Sequence, residues 1–298
     1  MDRYPGYLIN AVRSDTKAPN PTRIGVTELI NPPLHRTLFH KNWDKIKRDP
    51  GESVWMLLGS GLDEIVKRYS TTALTKLKLE LPTIHGITVV AVPDMIDTVD
   101  KVLADLKVTS VWSVKETKKE YTYQLNLYHL LLKKLQPELA KQVERLEIHA
   151  ILRDWRRNEK LRYHDYPVSQ FIILPIDIWS TDEQEQFLDA QLQDHLQHPE
   201  RECTNEEKWQ KLDQFAVMKA GRKSALRVLD SEQEAINWCN TNGHLSNLGK
   251  SITIVKRPGE CVRCENYCSV ASFCKYYQES LDSSRIRGLE TSPRKETE

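Results

Sequence analysis

Ten residues separate Asp94 from the triplet Asp105-Leu106-Lys107 in the stretch VPDMIDTVDKVLADLKVTS, residues 92–110. That spacing suits two antiparallel strands joined by a tight turn around Thr98 to Lys101. Side chains two apart in a strand share a face, so Asp105 and Lys107 point the same way. With Asp94 on the neighbouring strand facing the same spot, two carboxylates can hold a hard divalent cation through oxygen, while the lysine positions or helps deprotonate a water beside it. This is the chemistry of phosphodiester hydrolysis. An Asp-x-Lys tripeptide alone is common and usually marks a solvated face. Here the flanks in VLADLKVTS are apolar and β-branched, which predicts a largely buried strand, and a buried charge is costly unless it is paired or bound to metal.

The elements around this pair must position it. Gly86 to Asp97 and Lys101 to Thr109 read as the two strands, and Glu52 to Tyr69 as an amphipathic helix with Trp55, Leu58, Leu62, Ile65, Val66 and Tyr69 at helical spacing. Gly59 and Gly61 interrupt that helix at a cost in stability, which suits the close approach of another backbone or a ligand. Asp63 follows Gly59 by four residues, on the same face. After a lysine-rich connection with Lys115, Lys118 and Lys119, read as a solvated loop able to steer an anionic strand, a helix is predicted from Tyr121 to Val143, with Gln124 and Tyr128 on one face. Leu146 to Leu152 and Gln170 to Ile178 read as two further strands. The order helix, strand, strand, helix, strand, strand predicts a mixed α/β core with one central sheet flanked by helices.

Outside this core, residues 1–21 read as a flexible arm, and Ile24 to Ile30, stopped by Asn31-Pro32-Pro33, as a segment that caps the core from 22–180. Residues 181–278 read as a helical, Cys-rich C-terminal region. Capping boxes at Thr181/Gln184, Thr204/Glu207 and Ser231/Glu234 each open a helix, the last closing at Asn242-Gly243, with short strands at Ala225 to Leu229 and Ser251 to Val255. Residues 279–298 are polar enough for a disordered tail.

A net charge of +1, from 43 Lys and Arg against 42 Asp and Glu, gives no global pull towards nucleic acid, so a DNA-binding surface must come from local clustering. With 39% hydrophobic residues, no signal-like segment and no membrane-length apolar run, the expectation is a soluble cytoplasmic globular protein. Four of its six cysteines, Cys261, Cys264, Cys268 and Cys274, fall within fourteen residues. In a reducing compartment that density reads as a metal-binding knuckle rather than disulfides, and Cys203 and Cys239 read as simply buried.

Taken together and in order, Gly59 to Asp63, Asp94, Asp105-Leu106-Lys107 and Gln124 to Tyr128 resemble the motifs of the PD-(D/E)XK nuclease superfamily, in the RecB-like branch shared by phage exonucleases and CRISPR adaptation nucleases. The resemblance implies a restriction-endonuclease-like α/β core and a magnesium- or manganese-dependent deoxyribonuclease. Asp94, Asp105, the Leu106 carbonyl and Asp63, which stands where the family often has histidine, would be its metal ligands. Lys107 would act on the attacking water, and Gln124 and Tyr128 would sit at the substrate side. Implied, too, is a four-iron four-sulfur cluster on Cys264, Cys268 and Cys274 with Cys261 or Cys203, against which a structural zinc stays open. Arg153, Arg156, Arg157, Arg222 and Lys223 are candidate phosphate contacts. The expected partners are DNA and phage recombination or replication proteins, with no membrane. An endonuclease, a CRISPR-adaptation-type end trimmer, or a catalytically weak DNA-binding protein of the same fold are the alternatives to an exonuclease.

Overall fold

The structure is a computed structural model that describes residues 4–14, 18–46, 49–51, 53–69, 73–242 and 252–281. Two compact units, Met1–Glu200 and Arg201–Glu298, divide the chain. The first opens with helix α1 (Gly6–Ser14), which buries Val12, where the sequence reads as a flexible arm. Strand β1 (Arg23–Gly25) leads into the single turn α2 (Val26–Leu29), and Pro33 then starts α3 (Pro33–Lys41), where its missing N–H breaks no helical bond. Helix α4 (Val54–Tyr69) follows, then β2 (Ala73–Leu74), β3 (Leu79–Pro82), β4 (Thr88–Ala91), β5 (Met95–Asp97) and β6 (Val102–Thr109). The run from Gly86 to Asp97 is therefore two strands. Pro93, with no N–H for a ladder, separates them, and the chain changes sheets there. Proline also divides the next helix: α5 (Lys119–Leu135) ends at Gln136 and α6 (Pro137–Ala140) is a separate turn.

β7 (Arg145–Leu152), α7 (Arg157–Arg162), β8 (Phe171–Ile176) and α8 (Thr181–Gln197) complete the first unit. Its main sheet has the order β2-β5-β6-β7-β8, with β6 and β7 parallel and the other pairs antiparallel; a second sheet has the order β1-β4-β3. Helix α5 drives Leu125, Leu127, Leu130, Leu131 and Leu132 into the core against Leu103, Leu146 and Ile148 of β6 and β7. Leu188 and Leu192 of α8 join the same core, so the first unit extends past residue 180. α8 is capped one residue early, by Ser180 with Glu183. That frees Gln184 to turn inward and donate to Asn126 Oδ1 at 3.0 Å. Helix α4 departs from its expected burial, with Trp55 49%, Leu58 51%, Ile65 55% and Tyr69 74% exposed.

The second unit is not the helical region its capping boxes suggest. Thr204 and Glu207 do bond each other's backbone N–H groups, yet only a turn follows, ending at Trp209 with φ of +50°. Strands β9 (Gln214–Lys219), β10 (Arg227–Leu229) and β11 (Ile252–Arg257) form an antiparallel sheet in the order β10-β9-β11. The helices are α9 (Glu232–Asn242), opened by Ser231 as expected, and the short α10 (Val262–Asn266). Gly243, Ser251 and residues 282–298 of the expected tail lie outside the described residues. Among the described residues no helix is long and apolar enough to cross a membrane.

Candidate active site

The turn between β5 and β6 forms where the sequence places it. The Asp97 carboxylate accepts from the N–H groups of Val99 and Asp100 at 2.9 and 3.0 Å, and Lys101 takes φ of +56°. The register pairs Met95 with Ala104, so Asp94, one residue further out, stands across from Asp105. Asp94 Oδ2 accepts from the Leu106 N–H at 2.9 Å, which anchors it to the same strand. Asp105 is 2% exposed, and its Oδ1 accepts from Gln124 Nε2 at 2.7 Å. The same amide donates to the Tyr128 hydroxyl at 2.8 Å, so the one-turn spacing on α5 delivers both side chains to the site. Lys107 Nζ lies 2.5 Å from Asp105 Oδ2 but off the hydrogen-bond line, leaving that buried oxygen without an aligned donor.

Electrostatics single out the same group. Burial pushes the Asp105 carboxyl up to about 6; Lys107 opposes the shift, and the like charges of Asp94 and Asp63 add to it. Burial alone works against a charged Lys107, but Asp105 and Asp94 outweigh it and hold the ammonium above its ordinary value. Tyr128 is raised by burial and by Asp105, so its hydroxyl keeps its proton. Asp63, on α4, is thus within electrostatic reach of Asp105. Leu106 is half-buried beside them. A cleft of about 470 Å³ opens against Tyr128, lined also by Gly25, Thr27, Glu28, Val90 and Val92.

Two residues that the sequence reading used only to bound its elements, Tyr121 and Thr109, belong to this neighbourhood. Tyr121, raised by burial and eased by Lys107, bonds Thr109 through its hydroxyl. Their spacings were available as signals, since Thr109 lies two residues beyond Lys107 on β6 and Tyr121 three before Gln124 on α5. Of the candidate phosphate contacts, Arg153, Arg156 and Arg157 are exposed around the end of β7, while Arg222 and Lys223 belong to the second unit. Lys115 pairs with Asp165, and Lys118 lies 5.6 Å over the ring of Tyr121.

The second unit gathers thiols. Burial pushes Cys203 up to about 12, with Glu207, Cys264 and Cys274 adding, and pushes Cys264 up to about 11, with Cys261, Cys268 and Cys274 adding. Cys203 is therefore a neighbour of the cluster and sits outside any helix, whereas Cys239 lies on α9. Cys261 Sγ donates to Gln210 Oε1 at 2.8 Å.

Among the described residues, no three His, Cys, Asp or Glu side chains stand close enough together to hold a metal ion as they are. At the first site the donor chemistry fits a hard cation nonetheless. Asp105 and Asp94 both act on Lys107, Asp63 acts on Asp105, and the buried oxygen of Asp105 lacks an aligned donor. At the second, soft thiol donors fit zinc or an iron–sulfur cluster.

No protein-family model matches the chain, and no curated protein does. Among solved structures, the fold is similar to that in "Crystal structure of SSO0001", at 15% identity over 68% of this chain and 89% of the other, with a TM-score of 0.47. It is also similar to an alkaline exonuclease (LHK-Exo) from Laribacter hongkongensis, at 12% identity over 64% of this chain and 94% of the other, with a TM-score of 0.36. A structure of LHK-Exo in complex with dAMP aligns at 15% identity over 59% of this chain and 89% of the other, with a TM-score of 0.34.

Proposed function

We propose that the chain is a divalent-metal-dependent deoxyribonuclease, acting as an exonuclease on DNA ends in phage replication or recombination. The observation that carries the reading is the buried Asp105 carboxylate, one oxygen without an aligned donor, facing Lys107 with Asp94 and Asp63 close by. Asp94, Asp105, Asp63 and the Leu106 carbonyl would hold magnesium or manganese, which when bound polarises a phosphodiester and acidifies a water. Lys107, kept charged by its carboxylate neighbours, orients the attacking water and a phosphate oxygen. Gln124 fixes Asp105 by holding Oδ1. Because the Tyr128 hydroxyl accepts from Gln124, its own proton remains available to a substrate oxygen in the adjoining cleft.

The thiol group of the second unit is read as a structural metal centre, a four-iron four-sulfur cluster or zinc. Cys264, Cys268 and Cys274 would be ligands, and Cys203 or Cys261 the fourth. Cys264 and Cys274 act on Cys203, and Cys264 acts on Cys261, so both remain candidates for the fourth position. Anaerobic purification separates the cases: a brown protein with iron and labile sulfide, or a colourless one with one zinc per chain. Neither metal, with freely reactive thiols in folded protein, would overturn both.

The nuclease reading is tested with linear single- and double-stranded DNA labelled at either end, beside a closed circle, with magnesium or manganese. Loss of end label with an intact circle supports the exonuclease. A cut circle turns the reading to an endonuclease, and binding without cleavage turns it to a DNA-binding protein.

A further inference from the structure

On α4, residues 55, 59 and 63 lie four apart and so share one face. Asp63, at one end of this stripe, is felt electrostatically by Asp105. Trp55, two turns away at about 12 Å along the axis, is half exposed, and the Arg153 guanidinium lies 4.6 Å over its ring. The sheet gives a similar span: Ile148 pairs with Asp105, and Arg153 lies five residues on, roughly 16 Å at strand spacing. Between the two ends sits Gly59. A side chain built there would meet nothing within 4 Å among the described residues, and its φ lies outside the left-handed range. Neither packing among the described residues nor backbone conformation therefore asks for glycine, and a glycine inside a helix is less stable than alanine.

The same end of the sheet is rich in cations and rings. The Arg153 N–H donates to the Thr109 carbonyl at 2.9 Å and the Val111 N–H to Asp154 Oδ1 at 2.8 Å, so the segments after β6 and β7 meet there. Trp112, 67% exposed, carries Lys115 at 4.8 Å over its ring. Arg153, Arg156 and Arg157 are exposed and pair with no carboxylate among the described residues.

We propose that Trp55 and Arg153 form a nucleobase-stacking platform for single-stranded DNA, whose backbone crosses α4 at Gly59 on its way to Asp105 and Lys107. Exposed rings beside cations, Arg153 over Trp55 and Lys115 over Trp112, match a polymer of flat bases and phosphates. The occupant is a single strand because stacking on a side chain needs an open base face, which a duplex covers. At about 3.4 Å per stacked nucleotide, the platform holds a base three or four nucleotides from the scissile bond. The identity of the strand rests on the nuclease reading above.

Binding measured without added magnesium or manganese separates the platform from cleavage. Fluorescence anisotropy with labelled single-stranded oligonucleotides should show Trp55→Ala binding about tenfold more weakly, the scale of losing one stacked base, with Trp55→Phe retaining most of the affinity. An abasic oligonucleotide should bind wild type more weakly and bind wild type and Trp55→Ala alike. Gly59→Leu, where an added Cβ meets nothing within 4 Å among the described residues, should keep its melting temperature while weakening single-strand binding. Equal affinity of wild type and Trp55→Ala, or of wild type for normal and abasic strands, would overturn the proposal. Trp55-dependent binding with no cleavage under any metal would leave the platform standing and sink the nuclease reading.

Discussion

The two units keep their functional groups in place by different means. In the first, Asp105 is buried behind a continuous apolar core built from α5, α8 and the main sheet, and that core is large enough to bear a carboxylate whose charge it disfavours. In the second, the fully buried apolar residues among those described are few, Ala216, Val217, Ala235 and Val270, and the cysteines are half-buried. A unit with so little apolar burial needs another cross-link to hold one shape, and thiolate ligation of a metal is the one proposed above. Packing can hold an uncomfortable charge in place; where packing is thin, chemistry has to hold the fold.

The largest effect is expected where the comparison is sharpest. Cys264→Ser removes a thiol that both proposed ligand sets share. Because metal binding energy is folding energy in such a region, the loss should amount to several kcal/mol. Limited proteolysis should then degrade residues 201–281 and leave a resistant fragment near residues 1–200. An unchanged digestion pattern would mean that the second unit holds itself together without the thiols.

A smaller effect is expected inside the first unit. His129 is buried, its Nδ1 accepting from Gln184 at 3.2 Å, and burial, with Lys133 adding, lowers its pKa to about 4. The folded state thus keeps it neutral while the unfolded chain takes up a proton near 6.5. Its contribution to stability is complete above that pH and is lost as the pH falls towards 4, roughly 2 to 3 kcal/mol over the window. His129→Gln should lose correspondingly less stability than wild type between pH 6.5 and 4 in denaturant titrations. Parallel pH profiles would show that this histidine is not held neutral by the core.

The smallest expected effect concerns the edge of the site. Asp63→Ala removes one like charge near Asp105 and one proposed oxygen ligand. The magnesium concentration for half-maximal cleavage should rise about tenfold, roughly 1.4 kcal/mol, with little change in maximal rate. An unchanged metal dependence would leave Asp63 as a surface acid.

The residues of the site were more legible in the sequence than the fold around them. Period-two spacing placed Asp105 and Lys107 on one face, and period-four spacing placed Gln124 beside Tyr128, because both follow from local backbone geometry. Pro93 and Pro137 were visible breaks that strong apolar runs on either side concealed. The capping pair Thr204/Glu207 formed as read but closed on a turn, since a cap satisfies N–H groups without supplying a face for a helix to bury; β9 follows instead. Periodicity on α4 identified an apolar face but not what covers it, and the approach of Cys203 to Cys264 is a tertiary fact that no local pattern carries.

Cleavage by Lys107→Ala tests the central claim most directly, because Lys107 touches Asp105 at the mouth of the site, and its side chain, 29% exposed, is not part of the core. Measured on end-labelled linear DNA with saturating magnesium or manganese, and with folding checked by circular dichroism, cleavage should fall at least a hundredfold, the scale of a lost general acid–base or water-positioning group. Asp105→Asn should abolish it as well. A folded Lys107→Ala protein that cleaves DNA at the wild-type rate would contradict the account.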